Sequence, residues 1–271
     1  MNMKKLLMGM LTSVLLVGVL AACGTSEKEG STGNGAGNGE KKVLKMGTSA
    51  DYPPFEFIET AKSDEIQGFD VDLAKAIGKK LGYEIQVQDI DFNGLVPALE
   101  NGQVDLVLSG MTPTAERKKT VDFSDTYYTA KHMIVTNKDS KIETPEDLKG
   151  KTVGVQLASI QDGLATDFVK KDHINMKIEK RNRIPELVQE MNAGRFDAAI
   201  IEDTVAKGYL DDNKELAGHV IESGAEDAGS AIAFQKGSEL TEKFNAELKK
   251  MQENGELEKL VVKWFGDGET K

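Results

Sequence analysis

Apolar residues in this chain fall into two recurring arrangements. In "DVDLAKAIGKKLG", residues 70–82, Leu73, Ile77 and Leu81 recur every fourth position. That spacing places them on one face of a helix, and Asp70 is expected to cap its first turn. Elsewhere the short apolar runs "EIQVQD", "VDLVL", "HMIVT", "KTVGVQ", "DAAII" and "SAIAF" alternate with helical segments. This alternation predicts parallel sheets covered by helices. The N-terminus follows another pattern, in which Lys4 and Lys5 precede an apolar run over residues 6–20 and the small Ala21 and Ala22. Residues 1–22 are therefore expected to be a secretory signal rather than part of the fold, with a run too short for a membrane span.

Two stretches of the chain echo one another. "LVPALENGQVDLVLSG", residues 95–110, and "LVQEMNAGRFDAAIIE", residues 187–202, align at a constant offset. Leu-Val, a helix-ending glycine (Gly102 and Gly194), an aspartate (Asp105 and Asp197) and an apolar strand recur in step. The repeat predicts two lobes built alike. Ligands of open α/β sheets bind beyond the carboxyl ends of the strands. The polar strand ends Ser109-Gly110 and Glu202-Asp203 are therefore expected to face each other across a cleft. "AKHMIVTN" and "GSAIAFQK" are candidate crossovers between the lobes, and the tail over residues 240–265 is expected to return to the first.

Composition and charge narrow the function. Of 271 residues, 34 are Lys or Arg and 45 are Asp or Glu, a net charge of -11. Removing residues 1–22, with two lysines and no acid, makes it -13. An acidic surface disfavours nucleic acids and anionic membranes as partners. Cys23 is the sole cysteine, so no intrachain disulfide can form. The Gly/Ser/Asn-rich residues 24–40 read as a flexible tether. Their glycines neither follow a strand nor open a helix, which excludes a phosphate loop. His132, His173 and His219 have no metal-ligand spacing, and no Ser-His-Asp arrangement is evident. No metal, cofactor or catalytic residue is expected.

Arg117 lies seven residues beyond Gly110, in "SGMTPTAERKK". A guanidinium is a planar fork of donors suited to a carboxylate. Alone, it would be read as a surface partner of Glu116. The segments "GTSADYPPFEF", "GFDVDLAKAIGKKLG", "DFNGLVPAL", "SGMTPTAERKKTVDFSDTYY", "LKGKTVGVQ" and "ENGELEKLVVKWFG" occur in order over residues 41–266. Together they resemble the polar amino-acid-binding proteins of ABC importers, and most of all the arginine-binding lipoproteins of Gram-positive bacteria. "LAAC" likewise resembles the lipobox of bacterial lipoproteins, in which the cysteine, here Cys23, becomes the lipidated first residue.

The resemblance implies an α/β, two-lobed periplasmic-binding-protein-like fold with two hinge strands. Its parts would be lobe 1 over residues 41–134 and 231–271, lobe 2 over 135–230, and a lipid-anchored tether over 23–40. It places Arg117 on the α-carboxylate of a bound amino acid, with hydrogen bonds from Ser109, Gly110, the Met111 backbone and Thr112. Glu202 matches the acidic partner of the α-ammonium, although many relatives carry aspartate there. Alternation along the strand lets only one of Glu202 and Asp203 face the cleft, and Asp203 suits a helix cap. Tyr52 and Phe92 match the aromatic clamp on the ligand side chain. A basic ligand needs a distal anion, for which Asp51 is preferred over Glu56 and Asp91. "VQLASIQD" resembles the second-lobe loop that supplies Gln156, Ser159, Gln161 and N–H groups at a helix start.

The expected function is an extracellular, lipid-anchored receptor for arginine or another basic amino acid, working with ABC permease and ATPase subunits at the cell membrane. Two rivals are a cyclohexadienyl-dehydratase-like enzyme and an amino-acid sensor module. The first would bind a prephenate-like diacid, which suits a basic cleft better than Asp51 and Glu202. The second would be fused to a transmembrane helix and a signalling domain, and neither is seen in the sequence up to Lys271.

Overall fold

A computed structural model describes residues 42–221 and 228–266. The expected signal, the lipidated Cys23 and the tether lie outside the described residues. The first lobe opens with β1 (Lys42–Thr48), the short strands β2 (Asp51–Tyr52), β3 (Glu56–Ile58) and β4 (Ile66–Gln67), and α1 (Phe69–Leu81). It continues through β5 (Tyr83–Asp89), α2 (Phe92–Glu100), β6 (Leu106–Val107) and β7 (Val121–Ala130). The second holds β8 (His132–Asn137), β9 (Thr152–Gln156), α3 (Ile160–Lys170), β10 (Lys177–Arg181), α4 (Ile184–Asn192), β11 (Ala198–Glu202), α5 (Asp203–Asp212) and β12 (Leu216–Val220). The chain then returns through β13 (Ala228–Gln235), α6 (Glu239–Glu253) and α7 (Glu256–Phe265).

Two five-stranded sheets result, ordered β5-β1-β6-β13-β7 and β10-β9-β11-β8-β12. Position by position, β1 corresponds to β9, β6 to β11 and β13 to β8. The repeat seen in the sequence is carried by matching bonds. Asp105 Oδ2 accepts from Lys45 N at 2.7 Å midway along β1, and Asp197 Oδ2 accepts from Thr152 N at 2.8 Å at the start of β9. Gly102 and Gly194 take φ of +69° and +68°.

The sheets are mixed, not parallel as the apolar runs suggested. β13 runs antiparallel to β6 and β7, and β8 runs antiparallel to β11 and β12. The reason is topological. β1, β5 and β6 point their carboxyl ends at the cleft, so a strand arriving from the other lobe enters at that end and runs the opposite way. Sheet membership changes at Lys131 and again between Val220 and Ala228, a few residues ahead of the expected 134/135 and 230/231 boundaries.

Each sheet is covered on both faces by helices. On one face of the first sheet Phe69, Leu73 and Ile77 of α1 meet Phe244, Leu248 and Met251 of α6. On the other face Leu95 and Leu99 of α2 pack with Val104 and Val107. Asp70 is not the cap of α1: the N-cap is Gly68, with no side-chain cap bond. Its side chain is instead wholly buried inside the first turn, because it holds groups of the binding site. No helix among the described residues is long and apolar enough to cross a membrane.

Candidate functional site

The first-lobe wall is made where β6 ends. Gly110 takes φ +53°, and a Cβ there would lie 2.9 Å from the Tyr52 ring. Only glycine meets both the left-handed backbone and the close approach. A turn later, Arg117 folds back into the cleft. Its Nη1 donates to the Thr112 carbonyl at 2.8 Å, and its Nη2 reaches the second lobe at the Ala158 carbonyl, 2.9 Å away. Its guanidinium also lies over the Phe92 ring, 5.3 Å from the centroid. No carboxylate among the described residues pairs with Arg117; Glu116 pairs with Lys119 instead. Burial lowers the Arg117 pKa to about 10, still a cation at neutral pH.

The second-lobe wall ends in a carboxylate. Glu202, the last residue of β11, is 1% exposed. Its Oε2 accepts from the Tyr52 hydroxyl at 3.2 Å, while Oε1 has no donor. Desolvation raises its pKa well above the ordinary carboxyl value. Asp203 points elsewhere: its N–H donates to the Lys131 carbonyl, and its Oδ1 accepts from Lys131 N at 2.9 Å. It therefore fastens the passage between the lobes and makes no cap bond at α5.

The start of α3 completes this wall. Ser159 Oγ caps the helix by accepting from Asp162 N, and the N–H groups of Ile160 and Gln161 have no acceptor within the helix. Gln156 donates to the Asn182 carbonyl at 3.1 Å, and Gln161 meets His132 Nδ1 at 3.3 Å. Both side chains are thus already engaged within the protein.

Of the residues expected at the site, all except Asp51 and Met111 line one narrow cavity of about 10 Å³, together with Ile160. Met111 is buried in the first-lobe core and borders the wider groove outside Arg117, and its carbonyl accepts from Ala231 N. The Ser109 hydroxyl does not offer its hydrogen bond to the cavity. It donates inward to Glu56 Oε1 at 2.8 Å and accepts from Ser49 N at 3.0 Å.

Asp51 is the main correction. Its carboxylate accepts from Ile184 N at 2.7 Å and Ser49 Oγ at 2.7 Å, and stands 3.4 Å from Arg183 Nη1. It thus joins the lobes instead of lining the cavity. Arg183 also reaches Asp91 at 2.6 Å and Asp89 at 2.8 Å, and the Tyr209 hydroxyl donates to the Asp51 carbonyl at 2.8 Å. Of the two alternatives to Asp51, Asp91 is thus paired with Arg183, and Glu56 is buried beneath Ser109. Arg183 escaped notice in the sequence, although Pro185 at the start of α4 puts it at a strand-to-helix junction, where side chains face a cleft.

Arg183→Ala is expected to speed ligand release and weaken affinity by about 1–2 kcal/mol, roughly 5- to 30-fold, since partly exposed ion pairs contribute about 0.2–1 kcal/mol each. The salt dependence of release should flatten with it. Stopped-flow release at low and high salt measures both, and rates equal to wild type would show that these contacts contribute nothing to closure.

Two α/β lobes thus bring a guanidinium from one and a buried carboxylate from the other to the same cavity. Residues 44–267 match the bacterial extracellular solute-binding proteins, family 3, and the chain belongs to that family. It is a solute-binding protein, not an enzyme. The arginine-binding extracellular protein ArtP of Bacillus subtilis (strain 168) is 59% identical over 264 residues, covering 97% of this chain and 98% of ArtP. The ABC transporter glutamine-binding protein GlnH of the same organism is 32% identical, with 97% and 98% covered. A solved structure of an ancestral arginine-binding protein bound to arginine superposes with a TM-score of 0.77 at 41% identity, covering 83% of this chain and 98% of that one. Among the described residues no group of three or more His, Cys, Asp or Glu side chains is placed to hold a metal ion.

Proposed function

We propose that this protein is the lipid-anchored receptor of an amino-acid ABC importer and that its ligand is arginine or another basic amino acid. The supporting observation is that one cavity is lined by both Arg117, which has no carboxylate partner among the described residues, and Glu202, whose Oε1 has no donor among them. An α-carboxylate and an α-ammonium complement these two groups. The ligand side chain then passes between Tyr52 and Phe92, where cation-π attraction contributes about 0.5–2 kcal/mol per ring. The 59% identity to ArtP favours arginine. Binding starts on the Arg117 lobe, the second lobe closes with Glu202 on the ammonium, and the closed form docks on the permease driven by the ATPase subunits. Lipidation of Cys23 would hold the receptor on the outer face of the cell membrane.

A second reading has its own support. With Asp51, Asp89 and Asp91 all facing Arg183, the side-chain end of the site suits a neutral polar group such as that of glutamine. Calorimetric titration with arginine, lysine, histidine, glutamine and cystine separates the two. Tight glutamine binding without arginine binding would select the second, and no binding of any amino acid would overturn both.

A further inference from the structure

Beneath the binding turn lie two acids to which the ligand reading gives no part. Glu56 on β3 and Asp70 on α1 are each 0% exposed, and both hold the same dipeptide of the site. Ser109 Oγ donates to Glu56 Oε1 at 2.8 Å, while Asp70 Oδ2 accepts from Gly110 N at 2.9 Å and from the Tyr127 hydroxyl at 2.8 Å. Their other oxygens, Glu56 Oε2 and Asp70 Oδ1, have no donor, and each carboxyl bears on the titration of the other.

The neighbours leave no cation to balance two charges. Tyr127 of β7 touches Asp70, Tyr52 and Asp51 of β2 face Glu56, and Glu202 of β11 acts on Asp70 from further off. No ion pair among the described residues involves either acid. Two adjacent buried carboxyls without a cation cannot both ionise. Asp70 accepts two hydrogen bonds at Oδ2, which favour its anion, whereas Glu56 accepts only one. Desolvation, with the Asp70 charge next in weight, raises the Glu56 pKa well above the usual carboxyl range.

We propose that Glu56 is held as a neutral carboxylic acid whose Oε2 donates to Asp70 Oδ1, and that this pair positions Ser109-Gly110, the start of the turn that carries Arg117. Gly110 in turn abuts the Tyr52 ring, whose hydroxyl reaches Glu202. The pair therefore sets the spacing of both walls of the cavity.

Glu56→Gln and Glu56→Ala in the full chain, purified in detergent, test this. Glutamine reproduces the neutral acid: its oxygen accepts from Ser109 and its amide donates to Asp70. Its affinity for whichever of arginine and glutamine binds the wild type should stay within about threefold, while alanine should weaken it at least about tenfold. Stability gives a readout that packing alone would not move. A carboxyl raised in the fold adds stability that is full below its unfolded value and is lost as pH rises toward the folded value. The folding constant of wild type relative to Glu56→Gln should therefore increase close to tenfold per unit as pH falls from about 7 to 5.5. A ratio constant with pH, or a glutamine variant as weak as alanine, would overturn the proposal. The denaturation readout needs no ligand, so it decides this point even if the arginine reading fails.

Discussion

Arg117→Ala is expected to remove measurable binding of every amino acid alike. A carboxylate in the cavity would lose its cation where little water remains to replace it. Truncating one member of such a buried charged pair costs about 2–5 kcal/mol, roughly 30- to several-thousand-fold in affinity. The variant would also release the Ala158 carbonyl and uncover Phe92, so the lobes lose a contact as the ligand loses its partner. Arg117→Lys should recover little, because an ammonium cannot present two parallel donors. Calorimetry with arginine and glutamine measures the effect. A variant that lost one ligand and kept the other would place Arg117 at the side-chain end instead.

Glu202→Gln is expected to weaken binding by about 2–4 kcal/mol and to change its pH profile. Burial raises the Glu202 carboxyl well above its ordinary value, and an ammonium needs the ionised form. As pH falls through the raised value, the wild type must give up a proton to bind, so its affinity declines toward tenfold per unit. The glutamine variant has no such proton and should show a flat profile at its lower affinity. Titrations in buffers of different ionisation enthalpy count the released proton directly. Equal proton release by the variant would assign it to another group.

The features legible in the sequence were those written in local spacing. The face of α1 followed from Leu73, Ile77 and Leu81, and the matching strand ends followed from the repeat at Gly102 and Gly194. What escaped was set by residues far apart in the chain. Asp51 looked available to a ligand because its partners Arg183 and Ile184 lie more than 130 residues away. The Ser109 hydroxyl looked free because Glu56 comes from a three-residue strand, too short to show any alternation. Strand direction was hidden for another reason: an apolar run has the same pattern whichever way it enters a sheet, so β8 and β13 could not be told from their parallel neighbours.

The placement of Asp203 bears on the order of events during capture. Lys131 alone separates β7 from β8, and Asp203 grips its backbone on both sides. The acid offered to the ligand and the residue fastened to the pivot are thus consecutive in the chain. In the capture proposed above, a swing about this passage would displace Glu202, one residue from Asp203, only slightly, so the acid proposed for the ammonium would already lie near its final place as the lobes shut.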